Sequence, residues 1–469
     1  MAKIEITKTE LVWPGKFNED GTRREVPRVN LPFQVIETIN ESRATREVKN
    51  APQAALFDIY RGNEGETFEE GWKNKLIWGD NLLVMSSLLD KFAGKIDLIY
   101  IDPPFATGAD FSFTAEIGES GEELDKEQSI IEEKAYRDTW GRGTESFAQM
   151  MYDRLVLLRA LLSESGSIYV HIGPNENHHI RILCDETLGR DNFCNEIIWR
   201  RAFGHSDSRR YGIIHDAILF YHKGAEWTWN DIRQPADKEY IDTFFDQYDE
   251  ERGERYQRLS LSAGGLSGGG YDYEYKGVRT LWRCPIETLR KHDADGRLHW
   301  PKKKGGVPRL KKYESEHEGV PLQDIWSDIS KIHNQSSELT GYGTQKPEAL
   351  VERILKVSAN KNSLVADFFC GSGTTLAVSE KLGHRWIGCD LGRYAIHVTR
   401  KRLLGIHNCK PFEILNLGKY ERQYWQGVTF AEKGNTLTEK ALYEYLAFIL
   451  KLCSEKNVYA QTDQQRSAA

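Results

Sequence analysis

The chain has 469 residues, 39% hydrophobic and 28% charged, an ordinary globular balance with material for two or three domains. Sixty-three Lys and Arg stand against 70 Asp and Glu, and the formal net charge of −7 excludes a uniformly basic nucleic-acid coat. Forty Gly and 14 Pro, scattered along the chain, exclude a collagen-like or wholly disordered polypeptide.

No stretch of 18 apolar residues occurs, so neither a membrane span nor secretion is expected. The seven Cys form no CxxC pair and no framework, which fits a reducing cytoplasm and suggests no metal site.

Residues 1 to about 70 are polar and weakly patterned and read as a peripheral extension. The run Asp97-Leu98-Ile99-Tyr100-Ile101 closes on two prolines, which predicts a buried strand stopped at its C-terminal end. After a charged insertion at 118–134, Met151, Leu155, Leu158 and Leu162 share one helical face, with Gly166 as the expected stop. A strand at 167–172, a helix near 176–188, and strands near 194–199 and 217–221 follow. Strands alternating with helices predict a three-layer α/β sheet.

That rhythm breaks between about 225 and 325. A glycine-serine stretch at 259–270, expected to be flexible, leads into twelve basic residues between Lys276 and Lys312. Among them are Arg279, Arg283, Lys302, Lys303, Lys304 and Arg309, while only Glu287, Asp293 and Asp295 oppose the run. Trp282, His299 and Trp300 are interleaved, a composition that predicts a nucleic-acid-binding insert. The alternation then resumes with a helix at 347–358, a strand at 363–369, a helix at 374–382, a strand at 385–389 and a helix at 394–404. A last apolar pattern at 437–452 has helical spacing.

Two motifs carry chemistry. In Asp367-Phe368-Phe369-Cys370-Gly371-Ser372-Gly373-Thr374-Thr375, a glycine pair at a strand-to-helix turn lets the backbone approach a ligand where a Cβ would collide. Asp390 ends the next strand, where a carboxylate accepts both hydroxyls of a ribose, so the pair suggests an adenosine-type cofactor. The third glycine of a dinucleotide fingerprint is missing, and so is a Walker A lysine. The second motif, Asp102-Pro103-Pro104-Phe105, directly follows the buried strand. Two prolines remove two N–H donors and fix φ, leaving rigid carbonyl acceptors beside a carboxylate and an aromatic face. An exocyclic amino group on a flat base needs such a site.

These residues resemble the S-adenosylmethionine-dependent amino-methyltransferases of DNA, in the permuted (beta-class) order with the Asp-Pro-Pro-aromatic motif ahead of the glycine motif. Supporting segments are Trp78-Gly79-Asp80-Asn81, residues 166–173 and 192–201, Tyr342-Gly343-Thr344-Gln345-Lys346-Pro347, and the strand and helix from Gly388 to Arg402. Two positions depart from the family pattern: Phe368 stands where proline is usual, and Phe105 where tyrosine is common.

The resemblance implies a three-layer, Rossmann-like α/β methyltransferase fold, circularly permuted, with an inserted target-recognition region. Its divisions are an N-terminal extension (1–74), a catalytic half (75–225), the insert (226–321), a cofactor-binding half (322–408) and a C-terminal extension (409–469). It implies methyl transfer from S-adenosylmethionine to N6 of a flipped adenine in double-stranded DNA. Asp102, Pro103, Pro104 and Phe105 would be catalytic. Asp80, Asn81, Lys346, Phe369, Gly371, Ser372, Gly373, Thr374 and Asp390 would hold the cofactor. Arg200 and Arg201, at a strand end bordering the target base, join the basic insert as DNA contacts. Homodimerisation and a separate restriction subunit are implied by resemblance only. N4-cytosine methylation, and a catalytically silent DNA-binding homologue, stay open beside the adenine reading.

Overall fold

The computed structural model describes residues 9–45, 65–104, 144–204, 211–264, 270–303, 305–333, 335–418 and 421, with the backbone of two further strands at Phe113–Ile117 and Glu122–Lys126. It divides into two compact units, Met1–Asn230 with Asp324–Ala469, and Asp231–Gln323.

The larger unit is built on a ten-stranded sheet. Its strands are β1 (Gln34–Ile39), β2 (Asn74–Trp78), β3 (Ile96–Ile101), β4 (Leu162–Ile172), β5 (Phe193–Arg200), β6 (His215–His222), β7 (Ile325–Trp326), β8 (Leu364–Asp367), β9 (Arg385–Asp390) and β10 (Phe412–Asn416). Across the sheet they run β1-β10-β2-β9-β8-β3-β4-β6-β5-β7. From β10 to β4 every neighbour is parallel, and β6 is antiparallel to both β4 and β5.

Strand alternation explains the layers. Ile99 and Ile101 of β3 face one core with helices α1 (Asn81–Phe92), α2 (Thr144–Leu161) and α3 (Asn177–Cys184), and Ile96 joins it across a register irregularity before Leu98. Leu98 and Tyr100 face the other side, against α4 (Glu348–Ser358) and α5 (Thr374–Lys381). Leu76 and Trp386 continue that second face beneath α6 (Arg393–Leu404). Both faces are covered, so the central strands are apolar throughout.

Two expectations need correction. The helix through Met151 ends at Leu161, and Leu162 already pairs with Ile96 in the sheet. Gly166 instead serves close packing, because a Cβ there would stand 2.8 Å from the Leu162 side chain and 2.9 Å from the Ile96 carbonyl. The N-terminal extension, read as peripheral to about residue 70, is not wholly so. Trp13 and Leu31 are buried in the first core, and β1 and β10 complete one edge of the sheet. The helical pattern at 437–452 and most of the insertion at 118–134 lie outside the described residues.

The smaller unit carries a four-stranded antiparallel sheet in the order Gln247–Asp249, Glu254–Ser260, Arg309–Tyr313, Leu298–His299. A hairpin, Tyr271–Tyr275 with Val278–Trp282, turns through Lys276 and Gly277 at φ +46° and +80°, the left-handed pair a tight hairpin needs. Leu261, Val278, Trp282, Leu289 and Leu298 form its own small core.

Candidate active site

Because β2, β9, β8 and β3 are parallel, their carboxyl ends share one edge of the sheet. Asp80, Asp390, Asp367 and Asp102 lie at or just beyond those ends. From β8 the chain crosses through α5 to β9 on one side, and from β3 through α2 to β4 on the other. The gap between β8 and β3 is therefore the topological switch point, where open α/β sheets bind their ligands.

The glycine turn is shaped by close contacts. Gly371 and Gly373 have φ of +50° and +73°, and a Cβ on Gly373 would stand 2.5 Å from Thr399. Asp390 holds the turn from below, its two carboxylate oxygens accepting the Gly371 and Gly392 N–H groups at 2.8 Å each. A carboxylate at this strand end is the group that accepts the hydroxyls of a ribose. Thr399 donates to the Gly371 carbonyl at 3.0 Å, and Arg402 reaches the Ser372 carbonyl and the Thr374 hydroxyl. Phe369 is partly exposed over the same turn. Phe368, in the usual proline position, is fully buried and packs into the first core.

Asp367 closes the turn by accepting the Phe369 N–H at 3.0 Å and the Thr375 hydroxyl at 2.6 Å. Burial, reinforced by the Asp102 and Asp390 carboxylates, pushes its carboxyl up to about 7 against those two hydrogen bonds. It thus resists carrying a full charge beside its two acidic neighbours.

Asp80 caps α1 by accepting the Leu82 N–H at 2.7 Å, and Arg154 reaches it at 3.2 Å. Both ends of the Asn81 amide are used within the protein: its Nδ2 donates to the Phe368 carbonyl at 2.8 Å, and its Oδ1 accepts from Arg154 at 2.5 Å. Asn81, expected beside the cofactor, therefore ties the start of α1 to the glycine turn. Glu421 accepts the Asp80 N–H at 2.8 Å, and burial pushes its carboxyl up to about 7.

Asp102 is half-buried, Pro103 buried and Pro104 half-buried; Phe105 lies outside the described residues. The Lys346 ammonium is paired with the Asp102 carboxylate. Its own carbonyl accepts the Thr374 hydroxyl at 3.1 Å. Lys346, expected near the methionine end of the cofactor, thus bridges the glycine turn and the Asp102 carboxylate. Arg154, Thr399 and Glu421 carry no motif that marks them in the sequence. Asp367 is marked there only by its place at the end of β8.

Arg200 and Arg201 are exposed at the end of β5, on the same edge as Asp102. In the smaller unit, Arg283, Lys302, Lys303 and Arg309 are exposed, and Lys304 lies outside the described residues. Acidic groups beyond the basic run neutralise part of it: Asp272 pairs with Arg279, Asp249 with Lys311 and Glu316 with Arg297. Six cysteines are described, all free thiols. Among the described residues no group of His, Cys, Asp and Glu is arranged to hold a metal, and no helix is long and apolar enough to cross a membrane.

A sheet with parallel central strands and one reversed strand toward each end, a left-handed glycine turn backed by an acidic strand end, and Asp-Pro-Pro across the switch point define an S-adenosylmethionine-dependent methyltransferase. The residues present suit that cofactor: an acceptor carboxylate at Asp390 on the strand end and a close-approach glycine turn beside it. The chain belongs to the DNA methylase family, whose model matches residues 96–401. It is 33% identical over 334 residues to the type II methyltransferase M.EcaI of Enterobacter cloacae, covering 70% of this chain and 69% of that protein. It is 31% identical over 359 residues to the StyLTI Mod subunit, a type III restriction-modification enzyme component of Salmonella typhimurium, covering 71% of this chain. The match spans only 55% of that subunit's length. A solved M1.HpyAVI–SAM complex covers 70% of this chain and 98% of its own, at 15% identity and a TM-score of 0.37.

Proposed function

We propose that the chain methylates N6 of adenine in duplex DNA as the modification component of a restriction-modification system. The observation that carries this reading is the position of Asp102-Pro103 across the switch point from the glycine turn, with Lys346 joining the two.

An adenine amino nitrogen is a poor nucleophile because its lone pair is conjugated into the ring. Its two hydrogens, donated to the Asp102 carboxylate and the Pro103 carbonyl, would draw the lone pair out of that conjugation and aim it at the donor. Bound S-adenosylmethionine supplies an electrophilic sulfonium methyl. Transfer is then an in-line displacement in which positioning does most of the work. The methylated nitrogen is strongly acidic and releases its proton to water, so Asp102 need not be a strong base. Because N6 is paired inside a duplex, the base is flipped into the site. An aspartate at the first motif position supports adenine, where serine would favour cytosine. The basic face of the insert supplies phosphate contacts and base reading.

Expression in a host lacking DNA methylation, followed by nucleoside mass analysis and mapping of modified bases, tests the proposal. N6-methyladenine at a defined sequence supports it. N4-methylcytosine would keep the mechanism and correct the base, and unmodified DNA with no cofactor binding would overturn the enzyme reading.

A further inference from the structure

One polar chain beneath the candidate site is not used by the methyl-transfer chemistry. The Tyr100 hydroxyl lies 2.8 Å from His171 Nδ1, and His171 Nε2 lies 3.3 Å from Asp216 Oδ2. The other Asp216 oxygen accepts the Arg201 Nε–H at 2.8 Å. Tyr100, His171 and Asp216 are 2%, 0% and 2% exposed, whereas the Arg201 side chain is 44% exposed. Tyr100, His171 and Asp216 come from β3, β4 and the start of β6, Arg201 directly follows β5, and Tyr100 lies two positions before Asp102. Burial and the neighbouring carboxylates push the Tyr100 phenol well up, so it stays a donor. Tyr100 O–H then donates to Nδ1, Nε2–H donates to Asp216, and the whole chain points at one buried carboxylate. His171, Arg201 and Lys346 together hold Asp216 below its ordinary range despite its burial. Arg201 thus shares an electrostatic neighbourhood with the Lys346 that pairs with Asp102.

Asp216 takes hold of the arginine through Nε. That fixes the plane of the guanidinium and leaves both Nη groups outside the Asp216 bond, on a side chain 44% exposed at the same end of the sheet as Asp102. A planar fork anchored in this way matches two oxygens of a phosphodiester. Arg200 is a poorer candidate: its Nη2 is spent on the Ser327 carbonyl at 2.9 Å, and its guanidinium lies over the Phe203 ring.

We infer that Arg201 grips a backbone phosphate beside the base presented to Asp102, and that Asp216 and His171 are the residues that position it. A guanine contact has similar geometry. A phosphate fits better because the group sits on the rigid catalytic edge, where each substrate must place the flipped nucleotide whatever the flanking sequence. The inference rests on the DNA-methylation reading and adds a residue-level contact to it.

The test uses the full chain and a duplex carrying its mapped methylation site. Binding is measured by fluorescence anisotropy over a range of salt, with cofactor affinity and melting temperature followed in parallel. Arg201→Gln should weaken binding several-fold and reduce the log K against log salt slope by about 0.9, with cofactor affinity unchanged. Asp216→Asn keeps the arginine's charge but loosens its anchor, and should weaken binding with a smaller change in slope. Should that buried variant fail to fold, Arg201→Gln carries the test alone, since its side chain lies at the surface. Neutral methylphosphonates flanking the target base should weaken the wild type and leave Arg201→Gln indifferent. An unchanged salt slope in Arg201→Gln would overturn the inference, as would a variant that only relaxes sequence preference. A wild-type chain that methylates no DNA would overturn the underlying reading instead.

Discussion

The Lys346 ammonium closes an ion pair on the Asp102 carboxylate, and 244 positions of chain separate the two residues. The pair spans the switch point between β8 and β3, because the Lys346 carbonyl is held by Thr374 at the start of α5 while Asp102 follows β3 directly. It couples the glycine turn to the residue proposed to accept the target amino group.

That coupling predicts a non-additive pair of variants. Asp102→Asn keeps the shape and removes the charge, and should lower the methyl-transfer rate by roughly 10²–10³-fold, the scale of losing one preorganised polar partner. Lys346→Gln should also slow transfer, while the double variant should be little worse than Asp102→Asn alone. Single-turnover transfer of labelled methyl groups measures all three; fully additive losses would refute the coupling.

Gly373 and Gly383 offer a matched test of the turn. Both are left-handed, at φ +73° and +76°, but a Cβ on Gly373 would meet Thr399 at 2.5 Å whereas Gly383 has open space. Gly383→Ala should cost about 1–2 kcal/mol through backbone strain alone. Gly373→Ala should cost more and weaken cofactor binding as the turn shifts. Thermal melts and calorimetric titration separate the two effects.

Stability should carry a pH signature from Glu421, whose carboxyl is pushed up to about 7 by burial. Between its ordinary value and that pH the folded chain holds a proton that the unfolded chain has released. Stability from this group is therefore greatest in acid and falls as pH rises toward 7. Glu421→Gln can still accept the Asp80 N–H, and should remove this fall. Near pH 8 it should gain on the order of 2–3 kcal/mol relative to its position at pH 5. Denaturant melts at the two pH values check the sign.

The basic insert predicts a graded salt effect. Arg283, Lys302 and Lys303 are exposed, and removing them should weaken DNA binding and lower the salt slope by about 0.9 for each charge that meets a phosphate. Arg279→Ala should do less, since Asp272 already pairs with that side chain. Anisotropy titrations at several salt concentrations read the difference.

The sequence by itself determined the chain order of the strands and helices from β3 to β6 and from α4 to α6, the two chemical motifs and the break between the α/β segments, but not β2 or α1. These features are written locally: apolar runs close on prolines, helical faces repeat at fixed spacing, and glycines mark a left-handed turn. Only the tertiary structure decided that β1 and β10 belong to the sheet, because a mostly exposed strand such as Gln34–Ile39 shows no apolar alternation until its partner is known. The same holds for Arg154 on Asp80 and Asn81, and for the chain from Tyr100 through His171 and Asp216 to Arg201. Each joins residues distant in sequence and chosen for reach and charge, and a single sequence carries no periodicity for such contacts. The basic run shows the same limit, since the carboxylates that neutralise part of it, Asp249, Asp272 and Glu316, lie outside the run and meet it only on folding.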